Sequence, residues 1–293
     1  MTMESSDRGV GYRMITVPEM AAETLGAYLS AQLNSRFAST EAGLTELIPS
    51  VARLSLECIG NSDALYHNVE HTMLVTLVGY DIMKGRSLVM PTSASDYAHV
   101  IVACLFHDIG FVRGILKGDG EDGYVIDAKG GKTRLPRGSS DAALTPHHVD
   151  RSKMYAMDRL ASIELLDAAR IAHAIEFTRF PSVAVPDDTD NEEGSLVRAA
   201  DLIGQLGDPL YPKKANALFA EFEEIGSNRQ FGYETPADLV DKYPKFFSEL
   251  VAAHIEEGVK YLSMTASGRQ WIANMHNHVW CAENGAWLMG PQH

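Results

Sequence analysis

The sequence predicts an all-α protein: one helical domain, with a single irregular insertion that folds into a short hairpin. Three observations carry this reading. Apolar residues recur at three- and four-residue spacing along most of the 293 residues, the signature of helices that each bury one face. Clusters of Pro and Gly mark the boundaries between these stretches. One stretch, DYAHVIVACLFHD, is apolar nearly all round, as expected of a helix at the centre of a bundle.

Taken in order, residues 1–16 are polar and read as a loose segment, and the domain runs from 17 to 293. VPEMAAETLGAYLSAQL and LTELIPSVARLSLECI are helical, and YHNVEHTMLVTLVGYDIMK continues the pattern to Lys84. GRSLVMPTSA is a loop, and Ser95-Asp96 is placed to cap the apolar helix. Residues 114–146 are rich in Gly, Asp and Ser, and GYVID and KTRLP pair as a hairpin around Lys129-Gly130-Gly131. A lid over a functional site and a tolerated surface insertion are equally open readings of this segment. Helices resume with DRSKMYAMDRLAS and IELLDAARIAHAIEFT. An acidic loop, PSVAVPDDTDNEEG, precedes the helix SLVRAADLIGQLG, with Ser195 as its expected N-cap. The tail, 212–284, reads as amphipathic helices broken near Thr235-Pro236 and Tyr243-Pro244.

Composition narrows the function. The 45% hydrophobic and 22% charged content is that of a globular protein. A formal charge of −14 argues against a nucleic-acid polymer as partner. A small anionic substrate stays open, because bound divalent cations reverse the local field. Cys58, Cys104 and Cys281 are far apart and form no CxxC pair, which points to free thiols in a reducing compartment. The first residues lack an apolar leader core, and no apolar run reaches the roughly 18 residues that a membrane span needs. The expectation is a cytoplasmic protein without membrane contact; the oligomeric state is left open.

The chemistry gathers on a few residues. His67 and His71 in YHNVEHT lie one helical turn apart and share a face, which suits a metal ligand beside a second imidazole, or simply a surface pair. His107-Asp108 ends the apolar helix, where two ionisable groups need partners; a divalent cation satisfies both, and so does local capping. Gly110 then gives a sharp exit from the helix. Asp201 lies among Val197, Ala199, Ala200, Leu202 and Ile203, either paired with Arg198 or bound to metal. His147 and His148 precede a helix, and His173, set among Ile171, Ala172, Ala174 and Ile175, reads as buried.

The order His71, His107-Asp108, His148, His173, Asp201 resembles the HD-domain metal-dependent phosphohydrolase superfamily. That resemblance implies a helical HD-type or phosphodiesterase-like bundle with a metal-site core over about 66–205. It implies one metal held by His71, His107, Asp108 and Asp201, and a second held with His148 and His173, His147 competing with His148 for its place. YHNVEHT also looks like the opening motif of the cyclic-nucleotide phosphodiesterase branch, which implies His67 as general acid and Asn68 as support for the site. Two departures stand out. Ile109-Gly110-Phe111 replaces the Asp-His-Pro of that branch and looks closer to bacterial HD hydrolases, and the GYP motif that some of those carry is not seen in the equivalent place. For the purine clamp, Gln270 and Trp271 qualify only by residue type. The donor set suits Mn, Fe, Co, Ni or Zn, with Mg at a more oxygen-rich second position.

The expected function is hydrolysis of a phosphodiester such as a cyclic nucleotide, with Asp108 bridging metals and Arg113, ahead of Lys117, contacting phosphate. The alternatives are a phosphomonoesterase for nucleotides or small metabolites, a di-iron HD-type oxygenase, and a ligand-binding module without catalysis.

Overall fold

A computed structural model describes residues 15–37, 41–180 and 192–291. The expectation for most of the N-terminal segment, and that for residues 181–191 of the acidic loop, lie outside the described residues. The first four long helices are α1 (Val17–Phe37), α2 (Ala42–Ile59), α3 (Val69–Arg86) and α4 (Ala94–Phe106). Then come α5 (His148–Leu160), α6 (Ala168–Glu176), α7 (Glu192–Leu206) and α8 (Tyr211–Ile225). Short helices α9 (Ser227–Phe231), α10 (Pro236–Asp241) and α11 (Tyr243–Phe246) lead to α12 (Ala252–Leu262) and α13 (Ala266–Asn284). The fold is all-α, as expected. The C-terminal breaks fall where the prolines predict, with Pro236 and Pro244 in the first turns of α10 and α11.

Helix α4 is the hub. Every residue from Tyr97 to Phe106 is buried, and α2, α3, α6 and α7 pack around it. Its cap is Ser93 rather than Ser95. Ser93 Oγ accepts from the Asp96 amide, and Asp96 accepts from the Ser93 amide, a capping box that starts the helix at Ala94. Ser195 likewise is no cap. Helix α7 begins at Glu192, taking in the last three residues of the acidic loop, because the Glu192 carboxylate is held there by Arg86 and by the Tyr261 hydroxyl.

That clamp joins the C-terminal end of α3 to the N-terminal end of α7. The two helices therefore run antiparallel, and the first turn of α3 meets the later turns of α7. Gly204 allows the contact: a Cβ there would stand 3.0 Å from the Val75 backbone. In this antiparallel pair the contact lies between the levels of His71 and Asp201, and it brings the two helices close enough for those side chains to meet.

The insertion forms the expected hairpin. Strands β1 (Tyr124–Val125) and β2 (Lys132–Thr133) are antiparallel, with Tyr124 opposite Thr133. The Asp127 side chain closes the turn by accepting from the Lys129 and Gly131 amides. The segment is pinned to the core at two points. Arg151 of α5, with no exposed surface, donates from Nε to the Gly110 carbonyl, and from its two outer nitrogens to the carbonyls of Val125 and Val112 and to both Asp119 carboxylate oxygens. At the far end, Ser140 donates from its amide and hydroxyl to Glu224 of α8. No helix among the described residues is long and apolar enough to cross a membrane.

Candidate metal centre

His71, His107, Asp108 and Asp201 converge. His71 comes from the first turn of α3, whose start is set by Asn68: its side-chain oxygen accepts from the Glu70 and His71 amides, and its amide nitrogen donates to the Leu65 carbonyl. Asn68 thus supports the site by fixing the helix that carries His71, and its amide is committed to backbone rather than open to substrate. His107 and Asp108 leave the end of α4, and Asp201 projects from α7. His71 Nε2 lies 3.4 Å from Asp108 Oδ2 and 3.3 Å from Asp201 Oδ1. His107 Nε2 lies 3.0 Å and 3.4 Å from the same two oxygens. Neighbouring ligands about 2.1 Å from one ion in octahedral array stand about 3 Å apart, and each of these contacts is near that spacing; ligand atoms of His71, His107 and Asp201 lie within 4.8 Å of one another, with Asp108 in contact with both histidines.

Burial strengthens the fit. His71, His107 and Asp108 are at most 3% exposed, yet both His71 ring nitrogens, His107 Nε2 and Asp108 Oδ2 have no hydrogen-bond partner among the described residues. Leaving such groups unmatched costs a few kcal/mol in total, and a bound cation would satisfy three of the four, His71 Nε2, His107 Nε2 and Asp108 Oδ2. The His107 Nδ1–H donates to the Cys104 carbonyl at 2.7 Å when the ring is neutral. This aims the Nε2 lone pair at the cluster, the usual orientation of a metal-binding imidazole. His148 is arranged the same way. Its Nδ1 meets the Thr145 carbonyl at 2.6 Å, and its Nε2 lies 3.8 Å from Asp108 Oδ1.

The electrostatics tell the same story. Burial opposes charge on His107, but Asp108 and Asp201 outweigh it and push its pKa well above the usual imidazole range. Burial also opposes ionisation of the two carboxylates, yet the facing imidazoles hold both well below the usual carboxylate range. Burial lowers His148 and favours its neutral form. The cluster demands positive charge between two carboxylates, and a divalent ion supplies it without burdening the imidazoles with protons.

His67 stands beside this centre, with a ring nitrogen within 4.8 Å of ligand atoms of His71 and Asp108. Its Nδ1–H donates to Glu221 Oε2 at 2.5 Å. Glu221 Oε1 accepts from the Tyr66 and His67 amides. Burial works against an imidazolium here. The Glu221 charge and hydrogen bond, helped by Asp108 and Asp201, overcome it and raise the pKa to about 9. The Phe111 ring lies between His67 and His148, stacked at 4.8 Å and 4.5 Å.

Other expectations are corrected. His173 is exposed and faces a groove with Asp150, Lys153 and Met157, away from the cluster. On α6 the buried residues Ile171, Ala174 and Ile175 form one stripe with buried Ala172 at its flank, and position 173 falls on the side opposite the stripe. Apolar neighbours in sequence did not mean burial in space. Of the adjacent pair, His148 faces Asp108, whereas the acids acting on His147 are Asp150 and Asp127. Arg113 does not reach for phosphate: Nε binds Asp141, and Nη2 binds Asp63 at 2.6 Å. Arg198 donates to the Phe177 carbonyl, leaving Asp201 to the histidines. Gly110 matters for close packing rather than for a turn, since a Cβ there would stand 2.0 Å from the His148 carbonyl oxygen. Trp271 donates to Asp81, ten residues and so about 15 Å along α3 from His71, and Gln270 is exposed.

Sequence reasoning missed Glu221. Its signal was present: with Ala215 and Leu218 it lies on the buried stripe of α8, an acid where the helical phase calls for an apolar residue. Arg151 and Asp119, a buried pair 32 residues apart, gave no comparable local sign.

An all-helical protein with a buried His/Asp cluster able to hold a metal ion is the class that fold and site define. Within it, the family model of the Npun_R2479-like proteins matches residues 16–285, and the chain belongs to that family. No match to this chain was found among curated proteins or among solved structures.

Proposed function

We propose that the protein is a metal-dependent phosphohydrolase of the HD-domain type, acting on a small phosphate ester. The observation that carries this reading is the convergence of His71, His107, Asp108 and Asp201, where three buried atoms, His71 Nε2, His107 Nε2 and Asp108 Oδ2, face one another without hydrogen bonds. A divalent cation in that place supplies electrophilic activation of water and of a phosphoryl group. The protein's own part is then clear. His107 and His148, each anchored through Nδ1 on a backbone carbonyl, keep their Nε2 atoms fixed toward Asp108. His67, held as imidazolium by Glu221, carries a proton on its other ring nitrogen and gives it to the departing oxygen. Phe111 stacks on His67 and His148 and limits their rotation.

A phosphodiester such as a cyclic nucleotide is the favoured substrate, on the strength of YHNVEHT. The position of Trp271, bound to Asp81 far along α3, favours the second reading, a phosphomonoesterase without a base clamp. The di-iron reading loses His173 as a ligand and with it most of its support. Turnover of cyclic mono- and dinucleotides by the Mn-loaded protein, lost in Asp108→Ala, is expected. Metal-loaded protein that releases inorganic phosphate only from monoesters selects the second reading, and one that turns over neither class overturns both.

A further inference from the structure

We propose that the insertion carries a second binding site, separate from the metal centre, for a small phosphate- or diphosphate-bearing molecule. Between the Gly120–Tyr124 side of the hairpin and the stretch from Arg134 to Ser139 lies a cleft of about 330 Å³, the low end of the size range of small-ligand pockets. Arg134 and Arg137 line it, and Glu121 is the one acidic residue on its wall.

Among the described residues, Arg53, Arg86, Arg113, Arg151, Arg170 and Arg179 pair with carboxylates, and Arg36, Arg159, Arg198, Arg229 and Arg269 do not. Arg134 and Arg137 have no carboxylate partner among the described residues. Arg134 gives only its Nε–H, to the Asp122 carbonyl at 3.2 Å, which leaves both outer nitrogens of the guanidinium. Arg113 also lines the cleft but is spent on Asp141 and Asp63.

The scaffold holds this pair in place. The stretch with both arginines is tied at one end by Thr133 in the sheet and at the other by Ser140 on Glu224. The facing wall is fixed by the buried Arg151–Asp119 pair. Two exposed guanidinium groups on one cleft suit the oxygens of a tetrahedral dianion by their charge and donors. The net charge of −14 disfavours a nucleic-acid polymer and leaves a small ligand. The cleft is built apart from the ligand cluster, so the proposal does not depend on the hydrolase reading.

Inorganic pyrophosphate is the probe, titrated calorimetrically into full-length protein stripped of metal on a chelating resin. Asp108→Ala, which lacks the metal centre, serves as a parallel sample; should it fail to fold, the stripped wild-type chain carries the comparison alone. Saturable binding is expected, weakened about tenfold or more by Arg134→Ala/Arg137→Ala, whose exposed positions leave the helical circular dichroism unchanged. No saturable binding, or equal affinity in the double variant, overturns the site. Malonate bound as tightly as pyrophosphate overturns the phosphate assignment.

Discussion

Glu221→Gln tests the electrostatics around His67. The amide keeps an oxygen to accept from the Tyr66 and His67 backbone but loses the charge that faces the imidazole. In the wild type, His67 rises from 6.5 to about 9, equivalent to about 3 kcal/mol of stabilisation. Because the folded-state pKa is the higher one, this contribution is complete below pH 6.5 and disappears as pH rises toward about 9. Without the carboxylate, burial dominates and His67 titrates well below about 9. The stability gap between wild type and variant is therefore largest, about 2–3 kcal/mol, near pH 6, and shrinks steadily to pH 9. Urea unfolding of metal-free protein across pH 6–10 measures the gap, and the His67 ring-proton resonances report its titration. Metal-free protein is needed because a cation between Asp108 and Asp201 cancels their share of the pull. A gap that stays constant from pH 6 to 9, or an unchanged His67 titration, would refute the reasoning.

Other substitutions probe the scaffold and the ligand set. Arg151→Leu strands the buried Asp119 carboxylate and should cost about 3–5 kcal/mol in urea unfolding, much of it recovered in Arg151→Leu/Asp119→Leu. Gly110→Ala must displace the His148 carbonyl and should destabilise by about 1–3 kcal/mol, with a drop in metal affinity if His148 is a ligand. His173→Ala should leave metal stoichiometry and affinity unchanged by equilibrium dialysis, whereas His107→Ala should abolish tight binding.

Much of the site was legible in the sequence because its parts sit on strongly patterned helices. His107-Asp108 closes the stretch that is apolar all round, and a buried acid-base pair there requires partners. His71 and Asp201 stand at positions where helical phase turns them toward that pair. His173 shows where such reading fails: a nine-residue helix buries one stripe, and apolar neighbours on both sides do not reveal on which side of it a residue falls. Asn68 and Arg113 were recognised as important, but their polar groups serve backbone and carboxylates, a distinction that depends on contacts across the fold. The Arg151–Asp119 pair and the His67–Glu221 pair join residues 32 and 154 apart, and no local pattern predicts such pairings. Gly110 was read through backbone freedom, while its role is the contact with α5, visible only once the two elements are packed.

The most direct test of the metal centre is anomalous diffraction from crystals of the metal-loaded protein, with elemental analysis of the same sample. A divalent ion ligated by His71, His107, Asp108 and Asp201 is expected, with His173 uninvolved, and so is its loss in Asp108→Ala. A folded protein that takes up no ion at these side chains, or an Asp108→Ala variant that keeps its full metal content there, would contradict this assignment.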